Sequence, residues 1–179
     1  DSKLFDNTVI VFMSDNGAAA EDFYNDPAGS GPFLREHYNN SYENMGTASS
    51  FVSYGPQWAQ AGAAPFKLFK AYATEGGTVT PLIISGKYVK RKPGLQKVFL
   101  NVMDLATTFL ELAGIKYPEM YNKKITPMLG ESFLSFIGDK TNIIHHNNYV
   151  YGLEHDGQCL LIKGSWKITN ITKPFDESA

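Results

Sequence analysis

A carboxylate and a carboxamide stand side by side in Ser14-Asp15-Asn16-Gly17, directly behind the apolar run Thr8-Val9-Ile10-Val11-Phe12-Met13. Asp15 and Asn16 are hard oxygen donors of the kind Ca²⁺ or Mg²⁺ selects, and Gly17 lets the chain turn sharply after them. Asp-Asn-Gly is also a strong turn sequence, so in isolation the four residues read first as punctuation after a strand. The run before them is rich in β-branched and aromatic side chains and lacks helical periodicity. It reads as a core strand of a sheet covered on both faces. In open α/β sheets, ligands gather outside the carboxyl ends of the strands, which is where Asp15 and Asn16 would stand.

Downstream, Ala64-Pro65-Phe66-Lys67-Leu68-Phe69-Lys70-Ala71-Tyr72-Ala73-Thr74-Glu75-Gly76-Gly77 runs into a second apolar stretch, Val79 to Ile84. The ordered pair of segments resembles the type I sulfatases. In that family a strand ends in Ser-Asp-Asn-Gly, with the Asp and Asn as Ca²⁺ ligands, and a lysine stands five positions before the Glu of a Glu-Gly-Gly motif. The resemblance therefore implies Ca²⁺ ligation by Asp15 and Asn16. It gives the sulfate-contacting role to Lys70, five before Glu75, and not to Lys67. Ser53-Tyr54-Gly55-Pro56-Gln57-Trp58-Ala59 is similar to the bacterial arylsulfatase branch, and the resemblance extends from about Asp6 to Thr169.

Sulfate-ester chemistry asks for the same groups. While the sulfur of a monoester is attacked, its non-bridging oxygens must be neutralised, and a divalent cation with a fixed ammonium does this. The family attacks with a formylglycine hydrate, made from the Cys or Ser of a Cys/Ser-x-Pro-x-Arg motif. No such motif occurs here, nor does the family's upstream Asp-Asp metal motif. The resemblance thus implies a downstream portion of a sulfatase, with part of the metal site and one sulfate contact, inactive by itself. The lone cysteine, Cys159, alternates within an apparent strand and reads as a small buried hydrophobe.

Composition sets limits on this reading. With 179 residues and 43% hydrophobic content the chain can bury one sizeable core, or one and a fraction. Sixteen basic and eighteen acidic residues give a net charge of −2, with no electrostatic footprint for nucleic acid and no polybasic membrane patch. No apolar run approaches the roughly 18 residues of a membrane-spanning helix. The resemblance is compatible with a periplasmic or secreted intact protein, and the residues themselves leave location open.

The elements that must position the candidate residues follow from pattern. Residues 18 to 64 are rich in Gly, Asn, Ser, Tyr and Pro without a sustained period, and read as a long excursion above the sheet. Its Tyr38, Tyr42, Phe51, Tyr54 and Trp58 are a candidate wall for an apolar part of the substrate, although packing of the loop explains them as well. His37 reads as a satisfied or solvent-facing histidine. Val79 to Ser85 reads as the second strand, closed by Gly86. Lys87, Lys90, Arg91 and Lys92 form a basic cluster that reads as a solvated turn. Asn101 is the expected N-cap of a helix with Asp104 at N3, an apolar face of Val102, Leu105, Phe109 and Leu112, and Gly114 as its stop. This segment also looks like the helix closing the sulfatase catalytic domain. Lys116 to Pro127 reads as connecting chain, and a short helix is expected around Glu131 to Ile137.

Towards the end the pattern becomes that of a meander. Tyr149 to Glu154 and Cys159 to Lys163 flank Asp156-Gly157, a strong hairpin signal, and Ser165 to Thr169 supplies a third strand. His145 and His146 precede it in Asn-rich loop, where adjacent histidines point to opposite sides. Asn39-Asn40-Ser41 and Asn170-Ile171-Thr172 fit the N-glycosylation pattern, a frequent match that decides nothing.

The fold class expected is α/β, the C-terminal part of a sulfatase-type sandwich with a mixed sheet over 1–128, followed by a small antiparallel α+β subdomain over 129–179. The function expected is an arylsulfatase-like sulfuric ester hydrolase, acting on a small-molecule or glycan sulfate ester. Its alternatives are a phosphomonoester or phosphonate hydrolase of the same alkaline-phosphatase-like superfamily and a non-catalytic module that binds sulfated ligands. Exposed strand edges in such a chain imply self-association.

Overall fold

The computed structural model describes residues 4–171; Thr172, which completes the second glycosylation match, lies outside them. The chain forms two compact units interleaved in sequence. One combines the chain up to Phe12 with Leu82–Tyr149, and the other combines Met13–Pro81 with the chain from Val150 onward. The described elements are helices and small sheets, an α/β composition in which a two-stranded sheet, a two-stranded ladder and a three-stranded meander account for all the described strands.

In the first unit, β1 (Val9–Met13) pairs with β2 (Leu82–Gly86). Val9 and Val11 are half-buried while Ile10 and Phe12 are exposed, and Ile83 on β2 is exposed likewise. The expected two-sided cover is therefore absent among the described residues, and β1 alternates as a strand with one covered face. β2 also begins later than Val79, since Pro81 has no N–H to give a ladder and Glu75–Thr78 is helical.

Helix α4 (Val102–Ala113) is built as its sequence announces. Asn101 accepts from the Met103 N–H, Asp104 accepts from the Asn101 N–H, and Gly114 closes the helix at φ 67°. Its buried face shares only part of the one expected: Leu105 is buried and Leu112 half-buried, but Val102 and Phe109 are exposed, and Asn101, Asp104 and Thr108 are buried instead. These positions follow helical spacing, and their polar members are buried because partners arrive from elsewhere. Asp104, fully buried, also accepts from the Glu131 N–H at 2.8 Å and contacts His145 Nε2 at 2.9 Å. Thr108 accepts from the Phe133 N–H at 3.0 Å. Phe133, Phe136 and Ile137 complete this core, the last two on the single turn α5 (Leu134–Ile137).

Arg91 does not belong to a solvated turn. Its guanidinium lies 4.0 Å over the Phe136 ring, donates to the Phe136 carbonyl at 3.0 Å and pairs with Asp139 at 3.4 Å, so it fastens α5. The stretch expected as plain connection contains the short ladder β3 (Met120–Tyr121) and β4 (Lys123–Lys124), turned by Asn122 at φ 57°.

In the second unit the long excursion contains two helices, α1 (Gly31–His37) and α2 (Gly55–Ala63), each opened by proline in its first turn. The Gly-Pro pairs were their signal, since proline fixes the helical φ where its missing N–H costs nothing. Tyr38 meets Phe51 edge-on at 5.6 Å and His37 stacks on Phe33 at 4.1 Å, while Tyr42 and Trp58 are exposed. A further single turn, α3 (Glu75–Thr78), precedes the meander of β5 (Val150–His155), β6 (Gln158–Lys163) and β7 (Trp166–Thr169), which is antiparallel throughout. Asp156 and Gly157 both take positive φ, as the hairpin signal requires. Along β6 the covered position is Leu160, so Cys159 and Leu161 face outward and Cys159 is exposed rather than buried. No described helix is long and apolar enough to cross a membrane.

Candidate functional site

After β1 the chain bends through Ser14–Gly17, and the Ser14 hydroxyl donates to the Asn16 carbonyl at 2.9 Å. The Gly17 N–H donates to the Gly77 carbonyl at 3.3 Å. A Cβ on Gly17 would run into the Gly76 carbonyl, and one on Gly76 into the Leu68 carbonyl. Three glycines thus let the Ser-Asp-Asn-Gly bend, the Glu-Gly-Gly turn and the Lys67–Tyr72 segment meet backbone to backbone, a close approach that any side chain would prevent. The two motifs singled out in the sequence are neighbours within one unit.

Lys70 is anchored in this junction by its own N–H, which donates to the Ala18 carbonyl at 3.0 Å. Its Nζ donates to Glu21 Oε1 at 2.6 Å, and both side chains are a little over one-third exposed. The hydrogen bond to Glu21 and the charge of that carboxylate, with a smaller contribution from Asp15, hold the Lys70 ammonium above its ordinary range against a small opposing effect of burial. Reciprocally, the Lys70 hydrogen bond holds the Glu21 carboxyl low. Lys67 has a different place: its carbonyl accepts from the Gly76 N–H at 3.1 Å and from the Thr74 hydroxyl at 2.7 Å, and its side chain is exposed.

Glu75 is engaged by a residue from the far end of the chain. Lys167 Nζ, on β7, donates to Glu75 Oε1 at 2.7 Å and to Thr78 Oγ1 at 2.9 Å. Gln158, on β6, donates its side-chain amide to the Ala71 carbonyl at 3.0 Å.

Asp15 is exposed and Asn16 half-buried. They fit a hard cation in kind, as a carboxylate and a carboxamide oxygen, but fall short in number of the roughly six to eight oxygens Ca²⁺ takes. Among the described residues, no group of three or more His, Cys, Asp or Glu gathers to hold a metal.

Sequence reasoning missed Glu21, Gln158, Lys167 and the burial of His145. Lys167 carried no signal, because alternation in Trp166-Lys167-Ile168-Thr169 would turn the apolar residues inward and the lysine outward, the reverse of what the structure shows. Glu21 carried none, being one acidic residue in a polar stretch.

The sequence model of the Sulfatase family matches residues 1–115. An uncharacterized sulfatase of Schizosaccharomyces pombe is 34% identical over 171 residues, covering 94% of this chain and 30% of that protein. An arylsulfatase of Klebsiella aerogenes is 40% identical over 129 residues, covering 70% of this chain and 27% of that protein. The chain therefore spans less than a third of the length of either relative.

Proposed function

Because the chain belongs to the sulfatase family, we propose that it carries part of the active site of an arylsulfatase-like sulfuric ester hydrolase cleaving sulfate monoesters. The observation that carries this reading is the backbone junction of Gly17 with Gly76-Gly77, which leaves Lys70 half-exposed beside the Asp15-Asn16 bend. In this reading β1 and β2 belong to the mixed sheet of the sulfatase sandwich.

Lys70 contacts a non-bridging sulfate oxygen. An ammonium has three donors, and Glu21 takes one of them, so the others remain to bind an oxyanion while Glu21 keeps the amine protonated. Asp15 and Asn16 hold Ca²⁺ together with ligands from elsewhere in the whole protein. When bound, the cation neutralises charge on the sulfate group. The formylglycine nucleophile is assigned to a segment other than these 179 residues, and the isolated chain is inactive. The substrate is a small-molecule or glycan sulfate ester, without a nucleic-acid or membrane partner.

The test is turnover of matched aryl sulfate and aryl phosphate esters by the intact protein. Preference for the sulfate is the expected result. Preference for the phosphate would make it a phosphohydrolase of the same superfamily, and binding of sulfated ligands without turnover of either ester would make it a binding module.

A further inference from the structure

The segment that carries Lys70 holds two non-glycine residues in the left-handed region, Leu68 at φ 62° and Ala71 at φ 78°, one on each side of the lysine. Side chains avoid this region, and such residues persist where the surroundings over-determine them. On the Leu68 side the restraint comes from nearby chain. The Leu68 N–H donates to Gln60 Oε1 of α2 at 2.9 Å, the Leu68 side chain is buried, and the preceding Lys67 carbonyl is held by Gly76 and Thr74.

On the Ala71 side the restraint comes from the C-terminal meander. Gln158 donates to the Ala71 carbonyl itself, the peptide group that follows the strained residue. Lys167 reaches past it to Glu75 and Thr78, the first and last residues of the turn against which the lysine segment packs. The Lys167 side chain is only 16% exposed, so its charge is paired in a largely desolvated place. With its carboxylate bound in this way, Glu75 serves as an anchor for the turn.

We propose that Gln158 and Lys167 are positioning residues for Lys70: the meander β5–β7 braces the strained Lys67–Tyr72 segment so that the lysine amine is presented in one place. This rests on the reading that Lys70 contacts the sulfate, and it extends that reading to a part of the chain beyond the motif. Orientation of a charged group contributes to rate only if the group is held still before the reaction, and a displacement of about 1 Å can cost on the order of 100-fold.

The experiment compares Lys167→Met, Gln158→Leu and, as a control, the exposed Lys163→Met, in the intact protein. The first readout is hydrogen exchange without substrate at the Lys70 and Tyr72 amides, which donate to the Ala18 and Phe69 carbonyls. The second is steady-state kinetics on an aryl sulfate, with Lys70→Ala alongside. Lys167→Met and Gln158→Leu each speed exchange at both amides at least fivefold and lower kcat/KM at least tenfold, mostly in kcat, while Lys163→Met changes neither by more than twofold. Pairing Lys167→Glu with Glu75→Lys restores part of the loss. Gln158→Leu keeps the test open should Lys167→Met fail to fold. Unchanged exchange at Lys70 and Tyr72 in both variants overturns the brace, as does full activity in both. An active Lys70→Ala with faster exchange in the two variants instead overturns the sulfate-contact reading and leaves the brace standing as structure only.

Discussion

Lys70 Nζ and Glu21 Oε1 lie 2.6 Å apart, although 49 residues separate them in the chain. The contact sets the resting state of the amine. Under the proposed sulfate contact, a carboxylate partner keeps the amine protonated and directed until substrate arrives. A single carboxylate leaves two of the three ammonium donors for an oxyanion. The pair is compatible with the proposed anion contact, and it separates Lys70 from Lys67, whose backbone carbonyl takes part in the junction.

Removal of the two amines should therefore differ sharply. Lys70→Ala in the intact protein is expected to lower kcat/KM for an aryl sulfate by about 100- to 1,000-fold, the effect of removing one oxyanion-stabilising donor. Lys67→Ala should stay within a few-fold, because the proposed sulfate contact belongs to Lys70 and the Lys67 carbonyl contacts survive the change. Steady-state kinetics on the two variants decides, and equal losses would remove the distinction.

The Glu21–Lys70 pair also has a defined pH window. Glu21 is held below its ordinary 4.5, so its contribution is present above that value and is lost as pH falls through the lower folded value. Lys70 is held above its ordinary 10.5, so its contribution is present below that value and is lost as pH rises through the higher folded one. Glu21→Gln should accordingly lower stability slightly and uniformly between about pH 5 and 10, the effect being small because both groups are screened by solvent. Denaturant titrations of the two proteins at pH 7 and 9 and through a falling acid series test this; a difference that does not shrink as pH falls would assign it to something other than the pair.

Much of this arrangement was legible in the sequence, and the gaps have physical causes. The capping box of α4 and the Asp156-Gly157 hairpin are local, and local chemistry announces them. The pairing of the two motifs was anticipated only through the family resemblance, while the glycines that let them touch explain it afterwards. Where the reading failed, long-range polar contacts had overridden hydrophobic pattern. Asp104 and Thr108 lie on the buried face of α4 in place of Val102 and Phe109 because Glu131, Phe133 and His145 satisfy them. Lys167 points inward because Glu75 and Thr78 receive it. No window of a dozen residues contains both partners of such a contact.

Asp104 should be among the least replaceable residues for stability. Its carboxylate is fully buried and accepts from the Asn101 and Glu131 backbone N–H groups, with His145 as third partner. Asp104→Ala strands these donors without water, at about 1–3 kcal/mol each. The expected loss is about 3–5 kcal/mol by denaturant unfolding, the scale of a broken buried pair. A loss below about 1 kcal/mol would mean the network contributes little.

Ca²⁺ affinity should be weak in this chain alone. Asp15 and Asn16 offer three side-chain oxygens, fewer than the roughly six to eight Ca²⁺ takes, and no group of three or more His, Cys, Asp or Glu gathers among the described residues. Calorimetric titration is expected to show no submicromolar site. A stoichiometric tight site that disappears in Asp15→Ala would show that other oxygens of this chain complete the shell.

The β1–β2 sheet carries the last expectation. Among the described residues it has two strands, on which Ile10, Phe12 and Ile83 are 46%, 66% and 60% exposed. Apolar sheet surface of this kind is covered in stable proteins, and uncovered it drives association, as do the unpaired strand edges beside it. The 179-residue chain should therefore self-associate with rising concentration. Phe12→Lys combined with Ile83→Lys should reduce this, because two buried ammonium groups would oppose closure of the contact. Sedimentation equilibrium measures both proteins directly. A monomer at every concentration in the unmodified chain, or undiminished association in the double variant, would show that this surface is not what brings copies together.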